Sequence, residues 1–210
     1  MCSKITIGLL AVALLLFTVL TVLVMRDLGF VSAVNHDFHA QISGFVSPAL
    51  TTAAIWTSNL AHWYSYVPII VLLLIIPGTR LKIGLPIAVT LSASAILGPI
   101  ILKNIFAIDR PNIDHHLVEI TGYGYPSGHA MNAAVFLGIC AIMMWRYSGN
   151  KPLNIGFTVF ASVITFIVGL SRIYLGVHTA TDVIGGYLAG WAVLCIAVLI
   201  EARINRGQRG

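Results

Sequence analysis

A handful of side chains in this sequence have the types and spacing to handle a phosphoryl group. In SRIYLGVHTATD, residues 171–182, Arg172, His178 and Asp182 stand at the edge of two long apolar runs. PSGH, residues 126–129, and KNIFAIDRP, with Lys103 and Arg110, come earlier. Three cations against one carboxylate leave positive charge, so an anion is the expected ligand. Arginine offers a planar fork to phosphate oxygens, and lysine adds a point charge. PSGH reads as a helix start, whose free N–H groups and dipole attract a phosphate. Gly128 allows close backbone approach there, and Ser127 can cap the helix or donate. A tetrahedral oxyanion suits this set better than a planar carboxylate.

Two histidines add the means to react. A neutral imidazole can attack phosphorus, and a protonated one can give a proton to the leaving oxygen. Asp182 follows His178 by four residues, on the same helical face. It can hold one ring nitrogen so that the other turns its lone pair outward. The cations would stabilise charge developing on the phosphoryl oxygens.

The elements that must position these groups are membrane helices. The chain is 58% hydrophobic and only 9% charged, with a mean hydropathy of +0.94. So few polar side chains cannot cover so apolar a core, so lipid must, and the length suits one domain over residues 1–210. A helix needs about 20 apolar residues to cross the hydrocarbon. Six stretches qualify: Ile5 to Met25, Trp56 to Ile76, Ile83 to Phe106, Gly128 to Trp145, Leu153 to Leu170, and Thr179 to Ile200. The first is longer than a signal-peptide core of about 7–15 residues, so a retained anchor is expected. The expected fold is an all-α, six-transmembrane-helix bundle. Between its first two spans, Val31, Val34, Phe38, Ile42 and Phe45 are spaced for a short interfacial helix, either a packed lid or a lipid-entry rim. Pro99 is expected to kink the third span.

Charge sets the orientation. Lys4, Arg80, Lys82, Arg146, Lys151, Arg203, Arg206 and Arg209 fall on the side of both termini, and Arg26, Lys103, Arg110 and Arg172 on the other. Both termini are therefore expected in the cytoplasm, with the motif residues facing out. The basic balance reports orientation, not a nucleic-acid partner. Each buried charge would cost about 2.5–3.5 kcal/mol at a helix centre, so the cluster belongs just inside the outer interface.

KNIFAIDRP, PSGH and SRIYLGVHTATD together resemble the three signature motifs of the type 2 phosphatidic acid phosphatase family of membrane lipid phosphatases. Vanadium haloperoxidases and bacterial non-specific acid phosphatases share them. The spacings from Lys103 to Arg110, and from Arg172 through His178 to Asp182, fit without a gap. The resemblance covers residues 103–182. It implies that Lys103, Arg110 and Arg172 bind phosphate, with Ser127 and Gly128 assisting. His129 would be the general acid, His178 the nucleophile that forms a phosphohistidine, and Asp182 its orienting partner. It implies no metal and no cofactor. The small size resembles bacterial plasma-membrane members acting on undecaprenyl pyrophosphate or phosphatidylglycerophosphate, and phosphatidic acid belongs to the same substrate class.

Singly, the motifs have plainer readings: PSGH as helix-start punctuation, Lys103 as a snorkelling end residue. In this order and on one face they point to a site. A phosphotransferase using the same phosphohistidine is the alternative within enzymes. A lipid-phosphate or anion transporter is the alternative outside them, although it would place its polar groups at the midplane. Cys140 and Cys195 read as small buried hydrophobes. His115, His116, His36, His39 and His62 read as loop, interfacial and span-end polarity. Asn132 is open between supporting the site and bonding across helices. Gly186 and Gly190, on the stripe of His178 and Asp182, are expected to let a neighbouring helix come close.

Overall fold

The computed structural model describes residues 2–62, 64–66, 68, 98–110, 116–119 and 121–207. Most of the expected second span, the 77–82 turn, the first half of the third span, and Pro111, Asp114 and His115 lie outside the described residues. Six helices carry the description: α1 (Cys2–Met25), α2 (Gly29–Ser43), α3 (Pro48–Leu60), α4 (Gly128–Tyr147), α5 (Lys151–Tyr174) and α6 (Ala180–Gly207). Residues 98–106 are also helical. Among the described residues there is no strand. α1, α4, α5 and α6 each contain a stretch long and apolar enough to cross a membrane.

The packing follows from that composition. Large apolar side chains such as Leu15, Phe160 and Phe166 are exposed on the outside, while Ala130, Ala133, Ala141, Ala161, Ala189 and Ala192 fill the interior. In lipid the apolar exterior costs nothing, and small interior residues let backbones approach. α1 packs on α6, α4 on α5 and α6, and α3 on α5. A side-chain carbon at Gly186 would run into the Ser127 carbonyl and Ala130; one at Gly190 would lie 2.9 Å from the Met131 carbonyl. These two glycines bring α6 against α4 behind the site. At the far end of the same pair, Arg146 on α4 makes an ion pair with Glu201 on α6.

The segment between α1 and the second span departs from expectation. An amphipathic helix was expected across 26–50, and α2 is that helix, yet it ends at Ser43 and leaves Phe45 outside. A second helix then starts well before the expected span at Trp56. Ser47 caps it by accepting from the Leu50 N–H at 3.4 Å, and Pro48 enters its first turn. α3 stops at Leu60, and the chain turns at Ala61 and His62. Residues 56–60 therefore finish α3 rather than begin a span; hydropathy alone could not register the cap or the break.

α3 is fastened across the C-terminal end of α5. The Tyr174 hydroxyl accepts from the Ser47 N–H at 3.1 Å and lies 3.1 Å from the Thr51 hydroxyl. At the other end of this contact, buried Ser58 meets Arg172.

Candidate active site

α5 ends in a turn that delivers His178. Gly176 sits at φ 73°, a left-handed conformation that glycine adopts without steric cost. Its N–H donates to the Ile173 carbonyl at 2.9 Å, and the Val177 N–H reaches back to the Arg172 carbonyl at 3.2 Å. These two bonds form a Schellman motif, which closes the helix and satisfies its last carbonyls. His116 (Nδ1 2.8 Å from the Gly176 carbonyl) and Leu117 lay the 116–119 strip over this turn.

α6 opens in a capping box. The Thr179 hydroxyl accepts from the Asp182 N–H at 3.2 Å, and Asp182 Oδ2 accepts from the Thr179 N–H at 2.8 Å. Such a pair satisfies orphan N–H groups at a helix start. The same Oδ2 lies 3.4 Å from His178 Nδ1. Asp182 thus both caps its helix and holds the imidazole, leaving Nε2 as the nitrogen for a reaction. Burial pulls His178 down to about 4; the hydrogen bond and charge of Asp182 oppose this, and Lys103 and Arg172 add to it. The ring is therefore neutral at pH 7, with its lone pair available.

PSGH joins α4 to both neighbours. The Ser127 N–H donates to the Asp182 carbonyl at 2.9 Å, tying the loop to α6. Tyr125, fully buried, shares a 2.8 Å hydrogen bond with Thr21 of α1. Ser127 stands at the N-cap of α4 but makes no capping bond. Its hydroxyl is buried and finds no hydrogen-bond partner among the described residues. Gly128 does allow a close approach, to Pro99: an added carbon would sit 3.0 Å from the proline ring.

A cavity of about 270 Å³ is lined by Lys103, Arg110, Gly128, His129, Arg172 and His178, with Ala61, His62, Pro99, Ile100 and Asn132 completing it. Residues from 98–110, the α4 start, the α5 end and the α6 approach thus meet at one end of the bundle. The three cations are held by neutral groups. Lys103 Nζ donates to the Tyr123 carbonyl at 2.6 Å. Arg110 donates to the carbonyls of Gly122 (2.9 Å), Val177 (2.7 Å) and Thr121 (3.1 Å). A guanidinium carries five N–H donors, and among the described residues three of those on Arg110 are taken, which leaves two for an anion. Arg172, buried, donates from one terminal nitrogen to Ser58 at 2.5 Å, and its Nε has no partner among the described residues.

Several of these contacts lie beyond the motif residues. Ser58 reaches Arg172 across 114 positions of sequence. His62 stacks on Tyr64 at 4.0 Å and meets the His129 ring edge-on at 5.3 Å, which brings a span-end histidine to the site. Asn132 bonds across helices, to the Ala61 carbonyl at 3.5 Å, and also lines the cavity. Of these, the sequence raised only Asn132, one turn beyond His129; Ser58 and His62 had no local signal of a role here. The capping box did: Thr-Ala-Thr-Asp is a helix-start pattern legible in the chain. Among the described residues, no group of three or more His, Cys, Asp or Glu could hold a metal ion.

A second cavity, about 650 Å³, adjoins the first. Val24, Met25 and Asp27 at the end of α1, Val31, Asn35 and His39 on α2, and Arg110, His178, Thr179 and Asp182 line it.

Membrane-spanning helices, with no strand among the described residues, and an imidazole–carboxylate pair at a cavity that three cations line give a membrane protein with a site suited to an anionic group. Comparison with known proteins places it further. A model of the PAP2 superfamily matches residues 83–206, and the chain belongs to that superfamily. It is 35% identical over 94 residues to phosphatidylglycerophosphatase B of Bacillus subtilis (43% of this chain, 45% of that protein). It is 29% identical over 205 residues to undecaprenyl-diphosphatase of Sulfolobus acidocaldarius, covering 91% of this chain and 90% of that one. The crystal structure of a transmembrane PAP2-type phosphatidylglycerolphosphate phosphatase from Bacillus subtilis superposes with a TM-score of 0.80 at 24% identity, over 93% of this chain and 96% of that one, which supports the fold.

Proposed function

We propose that this chain hydrolyses the terminal phosphate of a lipid phosphate or diphosphate through a phosphohistidine on His178. One observation carries the reading: His178 is held through Nδ1 by Asp182 in a cavity that three cations line. In the first step Nε2 forms a bond to phosphorus as the bond from phosphorus to the leaving oxygen breaks. His129, protonated, gives its proton to that oxygen. In the second step water forms a bond to phosphorus as the phosphorus–Nε2 bond breaks, and the water gives a proton to His129. Inorganic phosphate leaves and both rings return to their starting state. Lys103, Arg110, Arg172 and Ser127 donate to the non-bridging oxygens as charge builds on them.

The names of the relatives supply the substrate classes: undecaprenyl diphosphate and phosphatidylglycerophosphate, with phosphatidic acid as the simpler test compound. The chain crosses the membrane six times in this reading, with both termini in the cytoplasm and the site at the outer interface. The headgroup would enter the cation-lined cavity, and the larger cavity, with Val24, Met25 and Val31 on its wall, would admit the start of the apolar tail.

Purified protein in detergent should release phosphate from one or more of these three lipids in EDTA, and His178→Ala should abolish the release while the protein stays folded. Release that persists in that variant, or that needs an added divalent metal, overturns the mechanism.

A further inference from the structure

The start of α6 needs more than its own capping box. The first N–H groups of a helix have no intrahelical acceptor. The Thr179 hydroxyl already serves the Asp182 N–H and sits 3.1 Å from the Thr181 hydroxyl. The Thr181 N–H, on a buried residue, is taken instead by a side chain 146 positions earlier: Asn35 Oδ1 on α2 accepts from it at 3.2 Å. The Asn35 amide nitrogen donates to the Thr181 hydroxyl at 2.9 Å. One amide therefore grips the backbone N–H and the hydroxyl of the residue next to Asp182.

The rest of α2 is anchored to match. Ile42 packs against Ala130, Ile173 and Val183, joining α2 to the starts of α4 and α6 and the end of α5. Asn35 also lines the larger cavity beside His178, Thr179 and Asp182.

We propose that Asn35 is a positioning residue: by capping α6 from outside, it holds Asp182, and through it the His178 ring, at the angle the reaction needs. This rests on the phosphatase reading above. It makes α2 part of the reaction's framework instead of a surface element, because a shift of α2 would loosen the cap of the helix that carries Asp182.

Losing a bond that orients a reacting group should lower kcat by about tenfold. The substrate's own contacts stay in place, so KM should change little. Asn35→Ala is the variant for this, assayed with undecaprenyl diphosphate and phosphatidylglycerophosphate. Asn35→Asp keeps an acceptor for the Thr181 N–H, and the Thr181 hydroxyl can turn to donate to it. It should recover kcat and raise KM, since it adds negative charge to a cavity that shares Arg110 and His178 with the one an anionic headgroup would enter. Amide hydrogen exchange over residues 179–183 should quicken in Asn35→Ala and return near wild type in Asn35→Asp. An Asn35→Ala protein with wild-type kcat and exchange would overturn the proposal, as would a higher KM at unchanged kcat. Should that variant not fold, Asn35→Asp decides: kcat near wild type supports the role, and activity as low as His178→Ala defeats it. If the wild-type chain released no phosphate, the phosphatase reading would fall, while hydrogen exchange would still judge the cap.

Discussion

His178 has been taken out of water and given a single carboxylate for company. That choice fixes its protonation. With burial dominant, and Lys103 and Arg172 adding to it, the ring stays neutral down to about pH 4. An ordinary histidine would gain its proton near 6.5. Carbon NMR of the protein with labelled histidine should show an imidazole signal that remains neutral through pH 5 and is lost in His178→Ala. Asp182→Asn removes the influence that raises the value, so the titration should move lower still. A His178 ring that protonates near 6.5 would contradict the geometry. Arg172 follows the same logic from the other side. Its partner is the Ser58 hydroxyl rather than a carboxylate, so its positive charge is held in place without being cancelled.

At the scale of elements, the spacing of small residues matters more than the length of the apolar runs. Gly186 and Gly190 press α6 on α4, and α4 brings Ser127 and His129 with it. Gly186→Leu would force the helices apart at the Ser127 carbonyl. It should cost several kcal/mol, about 1–3 for overpacking alone, and should remove activity together with stability. A variant with an unchanged melting temperature would show that the two helices do not meet there. The same scale explains what hydropathy missed. A window average finds α1, α4, α5 and α6 because each is long and uniformly apolar. It cannot find α3, whose limits come from Ser47, Pro48 and the turn at Ala61. Caps and breaks are single-residue events that an average removes.

For the molecule as a whole, both ends of the α4–α6 pair are occupied but differently: an ion pair of Arg146 with Glu201 at one, the cation-lined cavity at the other. The excess of lysine and arginine on the side of the termini argues for the cytoplasm there. Impermeant thiol labelling of single cysteines in intact cells should therefore reach a cysteine placed near Glu119 and miss one placed near Lys151. The reverse pattern would invert the proposed orientation. How much of this was legible in the chain divides by distance. Lys103, Arg110, Ser127, Gly128, His129, Arg172, His178 and Asp182 stand in compact motifs, so their types and intervals could be read as one group, and the cavity brings six of them together. Their supports, Ser58, His62 and Asn35, sit far off in sequence on helices whose docking only a folded chain reveals. That Arg110 and Lys103 would reach for backbone carbonyls was equally hidden, because loop carbonyls carry no residue code.

The bond from the Val177 N–H to the Arg172 carbonyl has one more implication. It closes a ring of backbone from Arg172 to Val177, and His178 follows directly on that ring, so the interval between arginine and histidine is set by ring size. Side chains at Ile173 and Leu175 could be exchanged for others of similar bulk, whereas adding or deleting one residue would open the ring and swing His178 away from the cation-lined cavity. Insertions that a surface loop would absorb are therefore forbidden at this corner. A designer wishing to move this chemistry to another helical scaffold would have to transplant the corner whole, with both helix ends attached.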